Sequence, residues 1–355
     1  MIHAHKYYIN AQVIYVQKLY VYNTRISQIM NQKQFEFYIN KLFSNAPTEF
    51  KQYKGNPLHI DIIFEGGLFN GGYLLGVALF LKYLEKKAYI VVDRISGTSI
   101  GSIIGLLYLT NNLDLAIDMY KEIYKDFKRN VNIGDFDKIL ESIKDSTEIY
   151  CKKPFKEPSL LQGKLFITYH NVKKGQQITR SCYKNIDDVL ESIKKSCFIP
   201  HITYNSHLYK EKYIDGLYPH IFPVNNTDPC KRILYVNIHT FDKVTDMFSV
   251  KNEKTNAHRI LSGILDFNLF LIKQRKTNMC SYVNNWSLYD KAVSYMFCGC
   301  GKIIFYIFCV LYFIYHLIYK ILGIFITKKD VNVIFYHTVK IFSVFQKNAI
   351  RFLCL

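Results

Sequence analysis

The amino-acid sequence predicts an α/β fold built on a central, mostly parallel sheet, and three observations carry that expectation. Within about 50 residues a short apolar run, a glycine turn and a helix-spaced segment follow one another twice, the pattern of strand–turn–helix units whose functional groups gather at strand C-terminal ends. The length of 355 residues, 50% apolar and 21% charged, suits one large α/β domain with an appendage and excludes wholesale disorder. Eight prolines and 17 glycines exclude a collagen-like or low-complexity architecture.

Taken in order, residues 1–57 are polar and aromatic with weak periodicity and close on Tyr53-Lys54-Gly55-Asn56-Pro57, which reads as a peripheral helical extension. Residues 58–64 form a short apolar run, a buried strand that stops at Glu65-Gly66-Gly67. Helical spacing follows over 72–87, with Leu75, Leu79 and Tyr83 on one face. A second strand over 89–95 ends at Ser96-Gly97, and a helix over 100–109 follows it. Residues 112–160 read as helices with charged faces and a loop near 152–158. Residues 165–170 alternate ahead of Lys173-Lys174-Gly175, which predicts a hairpin. A short helix over 187–195, a strand over 209–214 running into Asp215-Gly216, and a last apolar strand over 232–239 complete the pattern. The expected organisation is an extension (1–57), an α/β domain (58–245), a helical connection (246–301) and a C-terminal segment (302–355).

With 46 Lys+Arg against 28 Asp+Glu the chain carries +18, a balance that draws it to polyanions such as nucleic acid or an acidic membrane surface. No zinc-finger, RNP-like or helix-turn-helix pattern accompanies the charge, so nucleic acid is not the expected partner. Twenty-nine Tyr and 26 Phe beside one Trp look like an A+T-rich coding sequence, which by itself inflates lysine. Nine scattered cysteines (Cys151, Cys182, Cys197, Cys230, Cys280, Cys298, Cys300, Cys309, Cys354) form no C-x-x-C pair and no zinc spacing. Reduced thiols in an intracellular compartment, without metal, are expected. Residues 1–22 lack the continuous apolar core of a secretory signal.

From Lys302 the composition shifts. Residues 303–319 are apolar apart from His316, and the apolar character resumes over 321–326 after Lys320. A span of about 20 apolar residues is the membrane threshold. Residues 303–326 are therefore expected to anchor the chain to a membrane, spanning it or lying in it; a buried helix pair packed on the domain is the alternative. Lysines flank both sides, so no orientation follows. Val331, Phe335, Val339, Phe342 and Phe345 recur at helical intervals against Lys340, Lys347 and Arg351, which suits an interfacial amphipathic helix. Cys298 and Cys300, just ahead of the span, are either S-acylated or free juxtamembrane thiols.

Three elements carry chemistry. Gly97-Thr98-Ser99-Ile100-Gly101 is a G-x-S-x-G pentapeptide between a strand and a helix. A tight elbow there needs small residues on both sides, and the helix N-terminus supplies N–H donors and a dipole for a developing oxyanion. The plainer reading is a glycine-lined turn with a serine N-cap. Glu65-Gly66-Gly67-Leu68-Phe69-Asn70-Gly71-Gly72 is a second strand-to-helix turn, about 30 residues upstream, whose N–H groups could face a bound atom. It lacks the lysine of a P-loop and the G-x-G-x-x-G pattern, so a nucleotide reading is weak. Asp215-Gly216 ends a strand, where a carboxylate reaches Ser99 if that strand neighbours the elbow strand; alone, Asp-Gly is more often a turn.

Together these elements resemble the patatin-like phospholipase family over about residues 58–225. The match takes in the loop and helix from Gly66 to Gly76, the pentapeptide at 97–101, Lys195-Ser196-Cys197-Phe198-Ile199-Pro200 as an A-S-x-A-x-P-like segment, and Asp215-Gly216-Leu217 with Pro223 beyond it. The resemblance implies a three-layer αβα fold and hydrolysis of fatty acyl esters in membrane phospholipid or other acyl lipids, with no cofactor. It implies Ser99 as nucleophile and Asp215 as general base, with backbone N–H groups of Gly66, Gly67, Leu68 and Ile100 as the oxyanion hole. Gly71, Gly97, Gly101 and Gly216 fall on its motif glycines. Leu68 and Asn70 stand where the family usually has a third glycine and then Lys or Arg, and Leu217 stands where it has Gly or Ala. Two other readings stay open. One is an α/β-hydrolase triad in the order Ser, Asp, His, using His220 or His239. The other is a membrane-anchored, catalytically impaired relative.

Overall fold

A computed structural model of the chain describes residues 32–44, 53, 55–130, 133, 135–151, 160–199, 203–204, 206, 208–224, 231–239, 243 and 256–296. The strands are β1 (Leu58–Phe64), β2 (Ile90–Thr98), β3 (Leu165–Asn171), β4 (Gln176–Arg180), β5 (Tyr213–Asp215), β6 (Lys231–Val236) and β7 (Cys280–Tyr282). The helices are α1 (Gln32–Ser44), α2 (Gly71–Lys86), α3 (Ile100–Leu109), α4 (Leu113–Asn130), α5 (Phe136–Cys151), α6 (Ile186–Ser196) and α7 (Ala257–Lys273).

The seven strands form one sheet in the order β4-β3-β2-β1-β6-β7, with β5 also paired to β3. Neighbours among β3, β2, β1 and β6 run parallel, while β4, β5 and β7 are antiparallel to their partners. The expected mixed α/β architecture with a mostly parallel sheet flanked by helices is therefore what the chain adopts. β1 shows why: Ile60, Ile62 and Phe64 enter the main core, while Ile63 joins a second cluster with Phe222, Ile233, Tyr235 and Val283. A strand covered on both faces must be apolar along its length. Its one charge, Asp61, is fully buried and bonded by Arg94 at 2.5 Å and Lys231 at 3.2 Å. α2 is buried over most of its surface because it packs on β2, α3 and α7.

Three boundaries move. β2 runs on to Thr98, past the glycine that reads as its end, because Ser96, Gly97 and Thr98 pair with Phe166, Ile167 and Thr168 of β3. The strand expected over 209–214 shrinks to β5: Lys210 and Glu211 take positive φ (46° and 58°) and turn the chain so that Tyr209 bridges to Tyr213. β6 ends at Val236, short of the expected 239. The N-terminal extension contributes α1, whose Phe35 and Ile39 pack into the main core. Among the described residues no helix is long and apolar enough to cross a membrane. The proposed anchor at 303–326 and the amphipathic stretch after it lie outside the described residues.

Candidate active site

The sheet topology brings Ser99 and Asp215 together along one lane of β3. That edge pairs with β2 up to Thr98↔Thr168, and β5 takes it over in the opposite direction from Tyr169↔Asp215. Ser99 thus leaves the end of β2 where Asp215 leaves the end of β5. The Ser99 side chain lies beside the Asp215 carboxyl group and lowers its proton affinity, and that carboxyl accepts the Leu217 N–H at 2.9 Å.

Ser99 sits at φ 50°, ψ −130°, between a strand and a helix, a conformation that costs a side-chain-bearing residue and persists only where its surroundings impose it. The two motif glycines provide those surroundings. A methyl group at Gly97 would lie 2.5 Å from the Gly101 backbone, and one at Gly101 would lie 2.5 Å from the carbonyl oxygens of Phe64 and Glu65. Only glycine fits where β1, β2 and α3 meet this closely. The Ser99 N–H donates to Ser196 Oγ at 2.8 Å, and Ser196 Oγ–H donates in turn to Thr168 O at 2.6 Å, which ties the elbow to β3. With its own N–H engaged, Ser99 leaves the N–H of Ile100, first residue of α3, as the elbow donor available to a ligand.

Gly66 and Gly67 follow β1, and Leu68, Phe69 and Asn70 form a 3-10 turn that leads at Gly71 into α2. Gly66 backs onto the serine, since a methyl there would meet Ser99 Cβ at 3.0 Å. Leu68 has φ 44° and Leu217 φ 64°, so both departures from the glycine pattern occupy left-handed positions. Gly216 lies against β2 and β3, where a methyl would be 2.3 Å from Thr168 O. All ten residues singled out from the sequence therefore fall on the adjoining ends of β1, β2 and β5 and the starts of α2 and α3. Of the two histidines considered for a triad, His220 stacks on Phe166, on the face opposite the main core, and His239 bonds Glu65 through Nδ1 at 3.0 Å.

Burial pushes the Asp215 carboxyl up to about 6, against hydrogen bonds from Ser99 and Leu217 and the charge of His239. Burial would also raise Glu65, but the charge and hydrogen bond of His239, the Tyr235 hydroxyl and the Ile238 N–H hold it below its ordinary value. His239 moves the other way: burial opposes protonation, yet Glu65 and then Asp215 keep the imidazole above its usual value. The buried Cys197 thiol lies among Ser99, Ser102 and Asp215, and burial, then the charge of Asp215, push it well above the ordinary thiol range. A thiol held neutral is a poor nucleophile.

Ser99 lines an apolar cavity between the 3-10 turn, α3 and α4. Its wall is almost entirely apolar, with Leu68, Ile103, Ile104, Met119, Ile123 and Phe136 among its residues. Such a cavity accommodates a flexible hydrocarbon chain and offers few partners to a polar one. Sequence reasoning missed four contributors. Ser196 and Cys197 carry no signal beyond the family-like pattern of residues 195–200, Glu65 shows in the sequence only as the residue that ends an apolar run, and Arg259 lies outside the resembling residues. The signal for Arg259 was a lone cation among Ala257, Ile260, Gly263 and Ile264 on one helical face.

The family model described as patatin-like phospholipase matches residues 62–225. Among solved structures, VipD from Legionella pneumophila is similar at 14% identity and a TM-score of 0.26, over 50% of this chain and 49% of that one. This chain thus matches about half the length of VipD. No curated protein matches the chain.

Proposed function

We propose that the chain is a serine lipid acyl hydrolase of phospholipase A type, cleaving fatty acyl esters with Ser99 as nucleophile and Asp215 as general base. The observation that carries this reading is the placement of Ser99, beside the Asp215 carboxyl group, on the wall of an apolar cavity. Ser99 Oγ attacks the ester carbonyl as its proton passes to Asp215, and the backbone N–H groups of Gly66, Gly67, Leu68 and Ile100 receive the oxyanion. Collapse expels the alcohol, which takes the proton from Asp215, and leaves the acyl chain on Ser99. Asp215 then deprotonates a water that attacks the acyl-enzyme, and Ser99 regains its proton as the fatty acid leaves. A base of pKa about 6 is ionised at neutral pH and far better matched to this task than an ordinary aspartate.

The dyad is preferred to a triad because Ser99 lies directly beside the Asp215 carboxyl, whereas the carboxylate on His239 Nδ1 is Glu65 and not the acid that follows the serine in the triad's chain order. The substrate reading extends to location: an enzyme of this kind acts at a membrane or lipid surface, and residues 303–326 are the segment proposed to hold it there. Hydrolysis of phospholipid and neutral-lipid panels by the full chain, beside Ser99→Ala, tests the proposal. Release of fatty acid that falls at least about 10⁴-fold in Ser99→Ala supports it. Equal release by both proteins removes it.

A further inference from the structure

Asn70 stands where the resembling family carries Lys or Arg, yet a positive charge reaches this position from elsewhere in the chain. α7 lies outside residues 62–225 and crosses α2 with the two backbones in contact. A methyl at Gly76 would meet Ile260 O at 2.1 Å, and one at Gly263 would meet Tyr73 O at 2.1 Å. This crossing lays Arg259 against Gly72, where an added methyl would be 2.9 Å from Arg259 Cβ. The Arg259 side chain is fully buried, and its Nη1 donates to Asn70 Oδ1 at 3.0 Å. A guanidinium only donates, so the amide oxygen must face it. The amide nitrogen is thereby turned to donate to Ile238 O at 3.2 Å and Lys243 O at 2.9 Å. The Asn70 N–H closes the turn onto Gly67 O at 2.8 Å.

We infer that Arg259 is a positioning residue of the oxyanion loop: it orients the Asn70 amide, and the amide pins the 68–70 turn in which Leu68 is held at φ 44°. A leucine stays in that region only under constraint, and the amide anchors supply it from the segment after β6 and from α7. The buried guanidinium acts on the loop through the Asn70 amide. Its effect on turnover rests on the hydrolase reading; its effect on the loop does not.

The test combines amide hydrogen exchange over residues 65–71 with steady-state hydrolysis of a soluble p-nitrophenyl acyl ester, using the full chain as wild type, Arg259→Lys and Arg259→Met. Arg259→Met is expected to speed exchange at 68–70 while β1 and β2 stay protected, and to lower kcat roughly tenfold to 100-fold with KM within about twofold. Arg259→Lys should fall between, and adding Leu68→Gly to Arg259→Met should recover part of kcat, because glycine takes the turn conformation unaided. Unchanged exchange, or a rise spread evenly over α2 and α7, overturns the inference, as does a kcat indifferent to Arg259. If Arg259→Met does not fold, Asn70→Ala takes its place and must open the same turn; a closed turn in that variant overturns the inference. A wild type without hydrolysis removes the hydrolase reading, and the exchange measurement still decides whether Arg259 holds the loop.

Discussion

The two turns that flank Ser99 are built by opposite strategies. At 97–101 the closest approaches fall on Gly97 and Gly101, and the strained serine is held chiefly by the backbones packed around them, with the Ser196 hydroxyl on its N–H as a single polar anchor. At 65–71 and again at 215–217 the strained positions carry leucines, Leu68 and Leu217, and the constraint comes from hydrogen bonds with groups remote in sequence or from a neighbouring carboxylate. The difference teaches that a sequence motif survives intact where geometry is enforced by steric contact, and can drift where polar anchors enforce it. Steric enforcement tolerates no added atom, whereas a hydrogen-bonded anchor can change its donor without moving the backbone.

The largest expected effect breaks the first strategy. Gly101→Ala puts a methyl 2.5 Å from two carbonyl oxygens, so thermal or urea unfolding should show a loss of about 3 kcal/mol or more, or an insoluble product. Ser196→Ala removes the hydroxyl that joins the Ser99 N–H to Thr168 O, and should lower kcat about tenfold to 100-fold with little change in KM. A changed KM with an unchanged kcat would place Ser196 outside elbow positioning.

Asp215→Asn separates function from stability. The folded carboxyl titrates at about 6, above the usual value near 4, so the folded chain binds the extra proton between these values and stability falls as pH rises through that window. At pH 7 the ionised group costs on the order of 3 kcal/mol. Asp215→Asn should therefore raise the thermal midpoint at pH 7, lose that advantage near pH 4, and abolish hydrolysis at both. The smallest effect sharpens the second strategy: Leu217→Gly relieves a left-handed leucine but frees the unfolded chain, so its unfolding free energy should change by less than about 1 kcal/mol with activity retained. A large loss in Leu217→Gly would show that the side chain, and not the backbone turn, is what the site uses.

Much of this was legible in the sequence because local physics decides it. β1, α3 and the start of α2 follow from apolar runs punctuated by glycine, and Ser99 follows from the small residues an elbow demands. The strand carrying Asp215 was legible as apolar residues before Asp-Gly, but its true length was not, since the turn at Lys210 and Glu211 uses residues that do not announce positive φ. β2 was read too short because pairing with β3 carries the strand through a glycine. The Arg259–Asn70 anchor joins residues 189 positions apart, and no periodicity or spacing encodes such a contact.

The central claim, that Asp215 activates Ser99 without a histidine, is tested most directly by the pH dependence of kcat/KM on a soluble acyl ester, comparing wild type with His239→Gln. The account predicts a rising limb near pH 6, where Asp215 ionises. His239→Gln should keep that limb and move it upward, since the imidazolium charge lowers the Asp215 value. Loss of the limb together with the activity in His239→Gln would contradict the account and make the histidine the base.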